Sequence, residues 1–271
     1  MIGVFDSGIG GLTVLAALRH ALPSQDLLYL GDTARVPYGT RSPETVVRYS
    51  MRVGGYLASE GIQALVVACN TATTHALPSL TAACAQRGIR VFGVVEPGVQ
   101  EALTAHERGA IAVLGTEGTI AGGAYQSMIQ ERSPQTEVIA RPCPIFVPLV
   151  EEGWCTGEVP EQIAETYLGD LRGKVQTVIL GCTHYPLLRQ VIAATLPEAN
   201  LVDSAQATAR FVAQELEATG TGRGQRQGRT EYRVTDHLER FQRVGESFLG
   251  HAPSPTVWID LPEAPPDFIG F

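Results

Sequence analysis

The stretch ALVVACNTATTH (Ala64 to His75) has a counterpart 113 positions further on, TVILGCTHYPLL (Thr177 to Leu188). In each, an apolar run ends at a small residue, a cysteine follows, and polar residues with threonine lead into an expected helix. An apolar run bounded in this way reads as a strand buried on both faces, the mark of a parallel sheet. Cys69 and Cys182 are therefore expected at the carboxyl ends of two strands, where open α/β sheets bind their ligands. The amino ends of the following helices are expected to favour thiolate over thiol. One buried cysteine is most often a small hydrophobe. Two in matched settings point to chemistry.

Working outward, similar runs at Ile2–Phe5, Leu27–Leu30, Val91–Val95, Ile111–Leu114, Glu137–Ala140 and Leu201–Val202 alternate with helical patterns such as Leu12–Leu22, Pro43–Glu60 and Pro160–Leu171. Strands alternating with helices predict an α/β fold with mainly parallel sheets. Pro78 is expected to shorten, kink or restart the helix after Cys69. A weak internal repeat is also visible: VFDSG (Val4 to Gly8) and VLGTEG (Val113 to Gly118) each end a strand in a small polar loop before a helix. The chain thus reads as two pseudo-symmetric α/β domains with the active site in the cleft between them. The first spans residues 1–95 and is completed by 207–271; the second spans 96–206. The tail carries an expected helix over Ala207–Ala218 and strand-like pieces at Glu231–Val234 and Val257–Leu261.

Composition narrows the function. The chain has 271 residues, 44% hydrophobic and 18% charged, with a net charge of −8 and scattered basic residues. That pattern carries no nucleic-acid footprint, and no apolar run approaches a membrane span. The stretch TGRGQRQGR (Thr221 to Arg229) is basic but glycine-rich, and reads as a mobile loop. The amino end MIGVFDSGIGG lacks the features of a signal peptide, so a cytoplasmic protein is expected. Five cysteines (Cys69, Cys84, Cys143, Cys155, Cys182) without a C-x-x-C pair argue against a zinc knuckle, a redox motif and a disulfide framework. Cys84 and Cys155 have no polar company and read as inert. Lys174, the only lysine, lies in an expected turn, which disfavours a pyridoxal-phosphate enzyme.

The remaining candidates lie in loops after strands. FDSGIGG (Phe5 to Gly11) is neither a P-loop nor a dinucleotide fingerprint, nor a nucleophile elbow. It offers Asp6 and Ser7 with glycines that let a ligand approach the backbone; capping of the next helix is the simpler role. In GDTARVPYGTRS (Gly31 to Ser42), Pro37-Tyr38-Gly39 forms a rigid turn with a backbone N–H suited to an anionic group. Thr116 and Thr119 stand at a helix start, as caps or as carboxylate ligands. His184 is two positions from Cys182, and Glu151 and Glu152 follow VPLV. Two thiols, acidic partners and several hydroxyl and amide donors, with no metal or cofactor signal, fit proton removal from one face of a carbon and return to the other. Such cofactor-free racemisation needs an acid/base group on each face, which pseudo-symmetric domains supply.

The motif series VFDSGIGGLTVL, LGDTARVPYGTRS, VVACNTATTHAL, VVEPGV, VLGTEGTIAGGAY, LGCTHYPLL and LVDSA, in this order, resembles that of bacterial glutamate racemases. The segment VTDHLERFQRVGESFLG is similar to the carboxyl end of that family, so the resemblance covers nearly the whole chain. It implies reversible conversion of L-glutamate to D-glutamate without cofactor, for peptidoglycan and cell-wall biosynthesis. It implies Cys69 and Cys182 as the catalytic thiols, with Asp6 beside the first and His184 and Glu151 beside the second. An adjacent Asp6 would by Coulomb repulsion raise the Cys69 thiol, which helix dipoles and the substrate ammonium must offset, and the sequence does not fix the sum. Asp6-Ser7, Pro37-Tyr38-Gly39, Asn70-Thr71 and Thr183-His184 are implied as substrate-binding, with Thr116 and Thr119 as further contacts. Val36 stands where many relatives carry Cys. The expected partner is small-molecule glutamate, with no nucleic acid and no membrane; a homodimer stays open. Two other readings remain: an aspartate or hydantoin racemase of the same superfamily, and a non-catalytic binding or inhibitory protein.

Overall fold

The computed structural model describes residues 1–218 and 226–269, which form ten strands and eleven α-helices. The strands are β1 (Ile2–Asp6), β2 (Leu27–Gly31), β3 (Ala64–Val67), β4 (Arg90–Gly93), β5 (Ala110–Gly115), β6 (Glu137–Pro142), β7 (Val175–Gly181), β8 (Asn200–Asp203), β9 (Thr230–Val234) and β10 (Thr256–Trp258). The helices α1 (Leu12–Ala21), α2 (Pro43–Ser59), α3 (Asn70–Ala85) and α4 (Val95–Ala105) precede β5. Next come α5 (Glu117–Gly122), α6 (Ala124–Arg132), α7 (Phe146–Glu151), α8 (Glu158–Leu168) and α9 (Arg189–Thr195). The last two are α10 (Ser204–Ala218) and α11 (Leu238–Leu249).

The strands form two sheets, ordered β10-β9-β2-β1-β3-β4 and β6-β5-β7-β8. Every pairing among the described residues is parallel. The order β2-β1-β3-β4 repeats as β6-β5-β7-β8, so the weak sequence repeat is a repeat of topology. In each half a cysteine follows the third strand. The tail adds β9 and β10 in parallel beside β2, at the edge of the first sheet.

Alternation along the strands decides which side chains meet which helix. Val4, Tyr29 and Val66 point to one face of the first sheet, where α1, α10 and α11 bring Leu15, Leu18, Val212 and Phe241. Phe5, Leu30 and Val67 point to the other, against Val53 and Leu57 of α2 and Ala76 and Leu80 of α3. The second sheet is covered likewise: Ala112 and Leu114 pack with Phe146, Leu168 and Ile192, while Ile111 and Val113 pack with Val99, Tyr125 and Ile129. Burial on both faces explains the near-continuous apolar runs.

Several expectations change. The helix after Cys69 is neither shortened nor restarted at Pro78: α3 runs 16 residues with Pro78 inside. Proline costs a helix about 3 kcal/mol or more, and the buried row Ala72, Ala76, Leu80 and Ala83 in the core outweighs it. The chain after Cys182 forms a 3-10 turn, Tyr185–Leu188, before α9, because Pro186 follows so closely. The run expected to be strand through Val95 stops at Gly93, and α4 begins at Val95 with Pro97 in its first turn, where a missing N–H costs little. Of the strand-like piece expected at Val257–Leu261 only Val257 and Trp258 pair, as part of β10. Residues 221–225 of the expected mobile loop lie outside the described residues. Its far end is tied down, with the Arg229 N–H donating to Asp26 at 2.8 Å. No described helix is long and apolar enough to cross a membrane.

The tail helix α11 is anchored through Phe241, fully buried with its ring centroid 5.8 Å from that of Tyr29. Phe241→Ala should cost about 3–5 kcal/mol of unfolding free energy, as buried Phe truncations do, read as a lower urea midpoint with unchanged slope. A loss under about 1 kcal/mol would show that α11 is not part of the first core.

Candidate active site

The carboxyl ends of β1, β2, β3, β5 and β7 converge on one cleft of about 170 Å³. That is room for one molecule of amino-acid size. Its wall includes Ser7, Pro37, Tyr38 and Gly39 from loops of the first sheet, together with Cys69, Asn70 and Thr71 at the start of α3. The opposite wall is built by Thr116, Glu151, Cys182, Thr183 and His184. Asp6 and Thr119, both buried, stand behind this surface. Glu152 lies outside, exposed, with its carboxylate 3.7 Å from Arg240. No described group of His, Cys, Asp and Glu could hold a metal ion.

Glycines let the two walls approach closely. A Cβ on Gly10 would fall 2.3 Å from Thr183 Oγ1 and 2.4 Å from His184 Nδ1. A Cβ on Gly39 would fall 2.8 Å from Thr116 Cβ. Backbone contacts use that space: the Gly118 N–H donates to the Gly39 carbonyl at 2.8 Å, and Thr13 Oγ1 donates to the Thr183 carbonyl at 3.0 Å. Three hydroxyls close a ring across the cleft, with Thr71 to Thr116 at 2.9 Å, Thr71 to Thr119 at 3.1 Å and Thr116 to Thr119 at 3.0 Å. Thr116 also caps α5 through the Thr119 N–H, so cap and cross-cleft contact are one residue's work.

Cys69 is the N-cap of α3, and its Sγ accepts from the Ala72 N–H at 3.4 Å. Of the two opposed effects expected at Cys69, the helix amino end and the Asp6 charge, the helix end does not prevail. Burial, then the Asp6 carboxylate, push the Cys69 thiol up to about 12, against the smaller opposing effects of the Ser7 and Ala72 hydrogen bonds. One helix terminus is too weak a field to offset desolvation of a full charge. Asp6 is itself raised by burial, partly countered by the N–H of Gly8, whose hydrogen bond to Oδ2 is 2.9 Å long. Neither Asp6 nor Ser7 caps α1, whose N-cap is Gly11, without a side-chain hydrogen bond.

The second thiol has different company. Cys182 Sγ lies 3.9 Å from His184 Nδ1, and His184 Nε2 lies 3.1 Å from Glu151 Oε1. Burial works against a charged His184, but its hydrogen bonds to Cys182 and Glu151 prevail and lift it to about 10. Burial would likewise raise Glu151, yet hydrogen bonds from His184 and Arg240 hold it below the usual carboxylate range. An imidazolium thus stands beside Cys182 and a carboxylate beside Cys69. The site is symmetric in its sulfurs and asymmetric in its charges.

Three supporting residues escaped the sequence reading. Asp32, fully buried, accepts from Tyr38 Oη at 2.7 Å and Thr235 Oγ1 at 2.9 Å, pinning the Tyr38 turn to β9's end. Tyr125 on α6 donates to Asn70 Oδ1 at 2.7 Å across the two halves, while Asn70 Nδ2 finds no acceptor. Arg240 on α11 donates to Glu151 Oε2 at 2.9 Å. Asp32 had a signal, an acid directly after β2 as Asp6 ends β1. The other two contacts span more than 50 positions and left none.

A family model described as Asp/Glu/Hydantoin racemase matches residues 12–212. The chain is 51% identical over 252 residues to a glutamate racemase of Geobacter metallireducens, covering 92% of each. To one of Aquifex aeolicus it is 46% identical over 260 residues, covering 96% of this chain and 98% of that one. The crystal structure of glutamate racemase from Francisella tularensis in complex with D-glutamate superposes with a TM-score of 0.89 at 33% identity, over 96% of this chain and 97% of that chain.

With its thiol held up to about 12, Cys69 should be alkylated by iodoacetamide at pH 8 at least about a hundredfold more slowly than free cysteine, whose pKa is about 8.5. The rate, followed by peptide mass spectrometry, should climb through pH 10, and Asp6→Asn should raise it at any one pH by removing the repelling charge. Free-cysteine reactivity at pH 8 would contradict this electrostatic account.

Proposed function

The chain belongs to the Asp/Glu/hydantoin racemase family, and from that premise we propose that it is a cofactor-free, two-thiol racemase that interconverts L-glutamate and D-glutamate. The observation that carries the proposal is the pair of matched strand-end cysteines on opposite walls of one cleft, each with its own acid/base neighbour. A planar carbanion between two such groups can be reprotonated on either face. From L-glutamate, Cys182 as thiolate takes the Cα proton, and the electron pair passes to Cα and its carboxylate. Cys69 as thiol then delivers its own proton to the opposite face, leaving D-glutamate, a Cys182 thiol and a Cys69 thiolate. The reverse reaction starts from that state. The raised Cys69 suits it to give a proton, and the charged His184 places a positive charge beside the other sulfur.

Binding follows from the chemistry of the walls. Glutamate brings two carboxylates and an ammonium. The hydroxyls and N–H groups of Ser7, Tyr38-Gly39, Asn70-Thr71, Thr116, Thr119 and Thr183-His184 are donors for the carboxylates; Asn70 Nδ2, without an acceptor among the described residues, is one of them. Asp6 and Ser7 are the acceptors for the ammonium, and that positive charge offsets the repulsion that keeps Cys69 protonated. The proposal includes two domains, residues 1–95 with 207–271 and residues 96–206, which the grouping of strands into two sheets supports. It also includes a cytoplasmic role in supplying D-glutamate for peptidoglycan, where the free cysteines stay reduced. Both thiols come from one chain, so the chemistry requires no second copy.

Purified protein should carry the optical rotation of L-glutamate and of D-glutamate to zero after dialysis against chelator and treatment with hydroxylamine. Aspartate and hydantoins should turn over far more slowly; comparable rates would move the chain to the broader racemase group, and no turnover would favour a binding protein.

Cys69→Ser and Cys182→Ser should each lower racemisation by about 10²–10⁴, the usual contribution of a general acid or base. One-sided chemistry should survive. With glutamate carrying chloride on Cβ, a base removes the Cα proton, a C=C bond forms and chloride leaves, so no second thiol is needed. Cys182→Ser should retain chloride release from the D-form and Cys69→Ser from the L-form. Near wild-type racemisation by both variants would end the two-thiol reading; a reversed preference would end only the assignment of faces.

A further inference from the structure

Arg240 lies on α11, in the segment whose strands join the first sheet, yet its guanidinium ends against Glu151, the last residue of α7 on the second. A carboxylate at a helix carboxyl end faces the negative end of the dipole and needs compensation. Glu151 receives it from both sides: His184 Nε2 at 3.1 Å on Oε1 and Arg240 Nη2 at 2.9 Å on Oε2. With both oxygens engaged, the carboxylate cannot rotate without breaking a charge-assisted bond. A second contact comes from the same helix. The Phe248 ring stands edge-on to the His184 ring, at 5.5 Å and 88°. Arg240, Val244 and Phe248 are spaced four apart, so one face of α11 holds the acid, packs in the core and walls the imidazole.

We propose that Arg240 is a positioning residue for the second thiol: by fixing the Glu151 carboxylate it keeps His184 Nδ1 directed at Cys182 Sγ. The inference rests on the two-thiol reading of the site. The relay Arg240–Glu151–His184–Cys182 has no equivalent at Cys69, whose neighbours are Asp6 and the α3 amino end. Its loss should therefore act on one face only. The ordinary racemisation rate cannot display that, since each direction uses both thiols; elimination uses one.

The experiment compares wild type, Arg240→Met and Arg240→Lys for initial chloride release from the L- and D-forms of Cβ-chlorinated glutamate, with urea midpoints measured alongside. Arg240→Met should slow release from the L-form roughly ten- to hundredfold, the loss attached to one hydrogen bond to a charged group. The D-form should stay within about threefold, as expected for a group with no contact to the Cys69 side. Arg240→Lys, which replaces a single N–H···O contact, should recover most of the L-form rate. Equal slowing of both enantiomers, no slowing of either, or failure of the lysine variant at an unchanged urea midpoint would overturn the proposal. Should the methionine variant not fold, Arg240→Gln carries the same comparison. Wild-type protein inactive on glutamate would overturn the function itself; wild-type activity with an indifferent Arg240 would overturn only the positioning role.

Discussion

Everything at this site depends on the close approach of two sets of strand-end loops, backbone against backbone. A carbon can be deprotonated on one face and reprotonated on the other only if two bases face each other across a single small molecule, which leaves no room for a layer of side chains. Gly10, Gly39 and Gly118 remove that layer, and the Gly118–Gly39 hydrogen bond uses the space. The ring of Thr71, Thr116 and Thr119 then joins the walls with hydroxyls rather than hydrocarbon. A carboxylate entering such a cleft meets donors, and water is confined.

The second feature is charge placed unequally on an equal scaffold. The strand order of one half repeats in the other, and the cysteine falls after the same strand. Yet Cys69 faces a carboxylate and Cys182 an imidazolium. For a reaction whose two products are equally stable, symmetric groups would suffice in equilibrium terms. Unequal neighbours instead decide which protonation state the empty site holds, with one thiol ready to donate and the other side held positive. The carboxyl-terminal helix adds to this inequality, since α11 touches only the second pair, through Arg240 and Phe248.

Local patterns announced much of this. The apolar run before Cys69 and the one before Cys182 are strands because both faces of a parallel sheet are covered, and such burial must be written residue by residue along the run. The loops after them were legible because glycine, proline, threonine and asparagine are needed where a chain turns at a strand end. Pro78 neither shortened nor restarted its helix, since a rule about one residue's hydrogen bond takes no account of four buried neighbours along the same helix. At Cys69 the helix start and Asp6 pull in opposite directions, and the sum was not legible, because the helix start is local and visible while desolvation depends on everything packed around the sulfur.

By itself, then, the sequence determined the α/β class, the repeat and the identity of the strand-end residues, because periodicity and turn chemistry act over a few neighbouring positions. Only the tertiary structure decided which loops share a cleft, that Tyr125 holds Asn70, that Asp32 pins Tyr38, and that Arg240 reaches Glu151 across 89 positions. It also decided that Cys69 holds its proton. Electrostatic interaction and burial depend on distance in space, and nothing in the order of residues fixes that distance until the two sheets have packed.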